Sequence, residues 1–166
     1  MKKNIVLIGF MGSGKSMIAR ELGRRLKAQV LATDALAEAR EALAIHDIFK
    51  LKGEPYFRNL ETAIVKEISS RQGIIIDCGG GIVLGKENLQ VLKVNGIVFY
   101  LQATPETIYQ RIKHETHRPL LKVPDPLGCI KELYDQRLPL YNQADYVIDA
   151  NDSSIEGPVV EILKKM

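Results

Sequence analysis

The chain has 166 residues, 46% of them hydrophobic and 26% charged, with a formal net charge of +3. That length and apolar content fit one compact domain with a sizeable core, and they exclude disordered, collagen-like, coiled-coil, disulfide-scaffold and membrane-spanning classes. The 23 basic and 20 acidic residues are interspersed, so charge alone gives no argument for a nucleic-acid partner.

Short β-branched runs alternate with amphipathic stretches. Asn4–Ile8 is continuously apolar after Asn4, the pattern of a parallel strand buried on both faces. A glycine-rich turn leads into a helical pattern in which Ile18, Leu22 and Leu26 recur every four residues. Val30–Thr33 reads as a second strand. A single helix is expected over Leu36–Leu51, with Gly53 and Pro55 marking a break. The next helix carries Phe57, Leu60, Ile64 and Ile68 on its apolar face, followed by a strand over Gly73–Asp77. A helix around Lys86–Lys93, a strand over Ile97–Leu101 and a helix over Pro105–Ile112 come next. Residues 113–126 hold three prolines and several basic side chains with little periodicity, which reads as a long functional loop. A helix over Leu127–Asn142, a strand over Tyr146–Asp149 and a helix ending in Lys164-Lys165 close the chain. This alternation predicts an α/β fold with a parallel sheet covered on both faces.

Cys78 and Cys129 form no C-x-x-C pair, and His46, His114 and His117 supply no metal-ligand spacing. The histidines read as solvated side chains, and Cys78 as a small buried residue. The apolar run after Met1-Lys2-Lys3 is too short for a signal or membrane segment, so a cytoplasmic protein is expected.

Gly9-Phe-Met-Gly12-Ser-Gly14-Lys15-Ser16 matches G-x-x-x-x-G-K-[ST] between a buried strand and a helix. Glycines let successive N–H groups curl around a phosphate, and the helix N-terminus adds partial positive charge. Gly12, Ser13, Gly14, Lys15, Ser16 and Met17 are the nucleotide-binding candidates, with Lys15 reaching the β- and γ-phosphates and Ser16 holding Mg²⁺. The motif specifies a nucleoside triphosphate and leaves a small-molecule kinase, a GTPase switch and a nucleotide-binding module open. No N-K-x-D string is present; Asn142-Gln-Ala-Asp145 lacks the lysine, which demotes the switch.

A kinase also needs an acceptor pocket, a carboxylate to take a hydroxyl proton, and a mobile basic lid. Asp34 ends the second strand, where it can be a catalytic group or a helix N-cap. Arg58 and Glu61, three apart on one helix and opposite its apolar face, can pair there; the alternative is a surface ion pair. Gly79, Gly80 and Gly81 permit close backbone approach to a ligand. Arg118 precedes Pro119 in the loop, and Arg137 precedes Pro139 on a later helix.

Together, GFMGSGKS (9–16), Thr33-Asp34, Phe57-Arg58-x-x-Glu61, GGG (79–81), Arg118-Pro119-Leu120 and Arg137-Leu-Pro-Leu-Tyr141 resemble the shikimate kinase family over nearly the whole chain. The resemblance implies a three-layer α/β/α P-loop kinase fold with a five-stranded parallel sheet in the order 2-3-1-4-5. One kinase domain, 1–166, would carry an acceptor-binding region near 33–61 and a lid near 112–125. The implied reaction is ATP- and Mg²⁺-dependent phosphorylation of the 3-hydroxyl of shikimate, a step of aromatic amino acid biosynthesis. Asp34, Arg58, Gly79, Gly80, Gly81 and Arg137 would hold the acceptor, and two arginines suit its carboxylate. Asp34 would receive the hydroxyl proton, Glu61 would orient Arg58, and Arg118 would neutralise charge on the transferring phosphoryl group. Arg111 either stacks on adenine or is a solvated helix-end charge; Lys113 carries the latter reading too.

One departure stands out. Family members carry an acid two residues before the acceptor-binding aspartate, and here that position is Ala32. Asp77, two residues before the triple glycine, is a candidate to replace it toward Mg²⁺, directly or through water. Capping a backbone turn is the alternative for Asp77. The expected partners are small molecules, not nucleic acid or membrane, and the expected state is a monomer. Two competing functions remain at this level: a kinase for another polyol acid such as gluconate, and a nucleotide-binding regulator without turnover.

Overall fold

The computed structural model describes residues 3–116 and 118–166. Strand β1 (Asn4–Ile8) runs through the P-loop into helix α1 (Lys15–Leu26), then β2 (Val30–Ala32). Three helices follow: α2 (Thr33–Glu41), α3 (Ile45–Lys52) and α4 (Glu54–Ser69). Next are β3 (Ile75–Asp77), a 3₁₀ turn at Ile82–Leu84, α5 (Asn88–Asn95), β4 (Gly96–Gln102) and α6 (Pro105–Ile112). A 3₁₀ turn at Pro119–Leu121, α7 (Pro126–Tyr141), β5 (Tyr146–Asp149) and α8 (Glu156–Lys164) complete the order.

The five strands form one sheet in the order β2-β3-β1-β4-β5, with all four pairings parallel, as the resemblance implies. Alternation along β1 divides the core in two. Val6 and Ile8 face a cluster that includes Ile64, Ile68, Leu92 and Tyr141, whereas Ile5 and Leu7 face Ile18, Leu22, Val159 and Ile162. Helices α1 and α8 therefore cover one face, and α4, α5 and α7 the other. The carboxyl ends of β1, β2 and β3 deliver the P-loop, Asp34 and the triple glycine to one edge of the sheet, the place where open α/β sheets bind ligands.

The single helix expected over Leu36–Leu51 is two helices. Ala42 takes a left-handed backbone (φ 54°), and its N–H together with that of Leu43 returns to the Glu38 carbonyl, ending α2. The Glu38 carboxylate then accepts the Ile45 N–H at 3.0 Å at the start of α3. The hydrophobic period runs across this corner, which is why the sequence pattern conceals it. Thr33, expected at the end of β2, opens α2 instead, and the strand expected over Gly73–Asp77 is confined to Ile75–Asp77.

Candidate active site

Gly12 (φ 74°) and Gly14 (φ 91°) occupy left-handed backbone, letting the P-loop curl between β1 and α1. Lys15 folds back over the loop, its Nζ donating to the Gly9 carbonyl at 2.9 Å and the Phe10 carbonyl at 3.0 Å. Burial lowers its pKa, an effect opposed by the charges of Asp77 and Asp34. Ser13 is buried with no hydrogen-bond partner for its hydroxyl among the described residues.

In front of the loop lies a cleft of about 480 Å³, lined by Gly12, Gly14, Lys15, Ser16, Met17, Asp34, Asp77, Cys78, Gly79, Gly80 and Arg118. The Ser16 hydroxyl donates to Asp77 at 2.6 Å, and Asp77 pairs in register with Ala32 on the adjacent strand. The turn-capping alternative for Asp77 thus gives way to a side-chain bond directed at the P-loop. Asp34 stands in the first turn of α2 with its side chain open to the cleft. Desolvation raises its pKa against the opposing charge of Lys15. Cys78 is buried beside the cleft, and that burial drives its thiol pKa up.

The triple glycine is required by close approach. A Cβ at Gly79 would overlap the Asp34 carboxylate and one at Gly81 the Arg58 guanidinium, while Gly80 lies against the P-loop backbone at Met11. The Gly79 N–H is held by the Thr33 hydroxyl at 2.8 Å. Arg58 lies against Gly81, and Arg58, Gly81 and Arg137 are not among the residues that line the cleft itself. Arg137 reaches the Gly80 carbonyl at 3.4 Å, and its Nε is buried without a hydrogen-bond partner among the described residues.

Glu61 departs from its expected place. It is 2% exposed and lies on the apolar stripe of α4 with Phe57, Ile64, Val65 and Ile68, so the surface-ion-pair reading fails. One of its oxygens accepts Arg58 Nη1 at 2.9 Å; the other has no hydrogen bond among the described residues. Burial raises the Glu61 pKa, with Arg58 opposing. The ion pair with Arg58 offsets part of the cost of burying the carboxylate there.

Arg111 also differs from the solvated alternative. Its guanidinium donates to the carbonyls of Ala150 and Asp152, each at 2.7 Å, to Asn151 at 3.2 Å and to Gly12 at 3.3 Å. It ties the loop after β5 to the P-loop. Around it lies a second cavity of about 360 Å³, lined by Gly12, Ser13, Gly14, Met17, Ile18, Ile112, Glu115, Ala150, Asp152–Ile155 and Pro158. The 150–158 side of this cavity was not anticipated from the sequence. Its one signal is the polar Asn-Asp-Ser-Ser turn after the last strand, placed where α/β folds bind ligands. Lys113 and His114 are exposed, as expected, and so is His46, which lies beside Asp47; His117 lies outside the described residues.

Residues 11–166 match the family model described as shikimate kinase. The chain belongs to the shikimate kinase family. A shikimate kinase of Dehalococcoides mccartyi is 42% identical, covering 100% of this chain and 94% of its own. Another, from Caldanaerobacter subterraneus, is 41% identical over 98% of this chain and 95% of its own. Among solved structures, shikimate kinase from Acinetobacter baumannii in complex with shikimate superposes with a TM-score of 0.93 at 34% identity, covering 99% of this chain and 93% of that one. A gluconokinase from Sinorhizobium meliloti shares the fold, with a TM-score of 0.61 at 15% identity over 98% of this chain and 90% of that one. Sequence therefore joins this chain to the shikimate kinases, and to the gluconokinase through the fold alone.

Proposed function

We infer that the protein transfers the γ-phosphoryl group of ATP to the 3-hydroxyl of shikimate, giving 3-phosphoshikimate and ADP. The observation that carries this reading at the level of chemistry is one shared cleft. The P-loop lysine, a carboxylate with a raised pKa at the end of β2, and a lid arginine all face it. The paired arginine–glycine ends lie just beyond.

In this reading the 3-hydroxyl oxygen attacks the γ-phosphorus, the bond to the ADP oxygen breaks, and the hydroxyl proton passes to Asp34. Desolvation that raises the Asp34 pKa makes it a better proton acceptor than an ordinary carboxylate. Lys15 exchanges its backbone carbonyls for phosphate oxygens, and Arg118 meets the charge on the transferring group. Arg58 and Arg137 take the acceptor carboxylate, with Glu61 orienting Arg58 and the glycines shaping the wall. The helices from residue 33 to 61 form the acceptor-binding region, and the 112–125 segment the lid. The second cavity suits the adenine and ribose, with Arg111 as its floor.

Ser16 and Asp77 fit Mg²⁺. They are a hydroxyl and a carboxylate 2.6 Å apart beside the phosphate loop, hard oxygen donors of the kind this ion takes together with substrate phosphates. The bound ion supplies neutralisation of phosphate charge. Small-molecule chemistry with a monomeric, cytoplasmic enzyme is the accompanying reading. Cys78 and Cys129 are both free thiols, as suits a reducing compartment. Most exposed apolar side chains, Met17, Leu51, Leu84 and Val94 among them, fall on different elements, with Tyr146 and Val147 adjacent on β5. Among the described residues no helix is long and apolar enough to cross a membrane.

ADP release in a coupled assay with Mg-ATP tests the reading. Release should depend on shikimate and stay at background with gluconate. ATP binding without shikimate-dependent release would instead point to a regulator.

A further inference from the structure

Tyr141, the last residue of α7, has no part in the chemistry above, yet it stands where the parts of the site join. It is fully buried, and its hydroxyl donates to the Gly80 carbonyl at 2.6 Å. The same carbonyl receives Arg137 Nη1 at the longer distance of 3.4 Å. Gly80 in turn rests on the P-loop, where a Cβ would lie 3.3 Å from the Met11 amide nitrogen.

The Tyr141 ring is itself clamped. It stacks on Tyr100 with centroids 5.0 Å apart and planes at 14°. The hydroxyls of Tyr100 and Tyr134 are hydrogen-bonded at 3.0 Å, and Tyr134 leans on Phe10 of the P-loop at 5.9 Å. The Arg137 guanidinium lies over that same Phe10 ring at 5.8 Å. Burial pushes the Tyr141 phenol up to about 12, so it is a hydrogen-bond donor across the neutral range.

We propose that Tyr141 is a positioning residue for acceptor binding: its hydroxyl fixes the Gly80 carbonyl and thereby frees Arg137 for the acceptor carboxylate. This rests on the reading that Arg137 and the glycine wall hold shikimate. Without the hydroxyl, Arg137 is the remaining side-chain donor to this half-buried carbonyl among the described residues. A half-buried carbonyl that loses its closest donor is satisfied by the next one, so the guanidinium is drawn toward Gly80 and away from the ligand. Acceptor affinity then falls while the nucleotide side is untouched.

The test compares Tyr141→Phe with Tyr134→Phe, which removes a neighbouring buried hydroxyl that bonds to Tyr100 and not to Gly80 among the described residues. Shikimate binding is measured by calorimetry at low temperature, where a modest loss of melting temperature leaves both variants folded. Steady-state kinetics are run in parallel. Tyr141→Phe should raise the Kd and KM for shikimate about five-fold, leave the KM for ATP and kcat within about two-fold, and Tyr134→Phe should do neither. On an Arg137→Lys background, Tyr141→Phe should add no further loss of shikimate affinity. Wild-type shikimate affinity in Tyr141→Phe, an equal loss in Tyr134→Phe, or additive losses with Arg137→Lys would each overturn the proposal. A wild-type enzyme that neither binds nor turns over shikimate would overturn the functional reading beneath it as well.

Discussion

The proposed Mg²⁺ site turns on a single side chain, Asp77. Its carboxylate bonds Ser16, the P-loop hydroxyl, and its strand register sets it opposite Ala32, the position where the family resemblance implies an acid. Parallel neighbours in register put their side chains on the same face of the sheet, so an acid on β3 addresses the same corner of the cleft as one on β2. Asp77→Asn keeps the shape and removes the charge. The Mg²⁺ concentration for half-maximal turnover should rise about ten-fold or more, as should the Kd for Mg²⁺ measured by calorimetry in the presence of ADP. An unchanged Mg²⁺ dependence in both measurements would remove Asp77 from the metal site. Ala32→Asp added to Asp77→Asn should then restore much of the loss, since the charge returns one strand away.

Helix α4 shows how far an element is legible in its sequence. Gly53 and Pro55 mark its start and the apolar period its inward face, because backbone restriction and periodicity are local properties. That Glu61 falls on the buried stripe follows from its spacing, four residues after Phe57 and three before Ile64. What the spacing does not show is how a carboxylate is accommodated there, since Arg58 and the Gly81 turn come together only in three dimensions. The α2–α3 corner was hidden for a related reason, since its left-handed residue is an alanine and not a glycine. The P-loop could be read directly from residue types at fixed spacing, whereas Asp34, the triple glycine and Arg118 acquired their roles through the resemblance to the family. Glu61 also carries a pH signature. Burial raises its folded pKa above the ordinary 4.5, so the stability it contributes is fully present below pH 4.5 and is lost as pH rises through the folded value. Glu61→Gln stays neutral and lacks that loss. Urea unfolding at pH 4.5 and at neutral pH should therefore show the Gln variant gaining on wild type as pH rises. Shikimate KM should increase in the same variant, because Arg58 exchanges a carboxylate partner for a neutral amide oxygen and keeps the Glu54 carboxylate at 3.3 Å. A stability difference that does not change with pH would mean Glu61 ionises as it does in the unfolded chain.

At the scale of the whole molecule, the segment between α6 and α7 connects the two cavities. Glu115 lines the cavity beside Arg111, Arg118 lines the cleft holding Lys15 and Asp34, and the two are joined by an ion pair through Arg118 Nε. A bond at Nε leaves the terminal amino groups of the guanidinium outside this ion pair, and it is with those groups that an arginine can meet phosphate oxygens. In the proposed reading this charge acts on the transferring group more than on either bound substrate, since the phosphoryl oxygens are where charge is redistributed in the transition state. Arg118→Ala should therefore lower kcat by about a thousand-fold while both KM values stay roughly unchanged. Calorimetry should show ADP and shikimate still binding to the variant. A large rise in the KM for ATP with kcat preserved would make Arg118 an ordinary nucleotide anchor, and phosphoryl-group stabilisation would then fall to Lys15 and the P-loop amides.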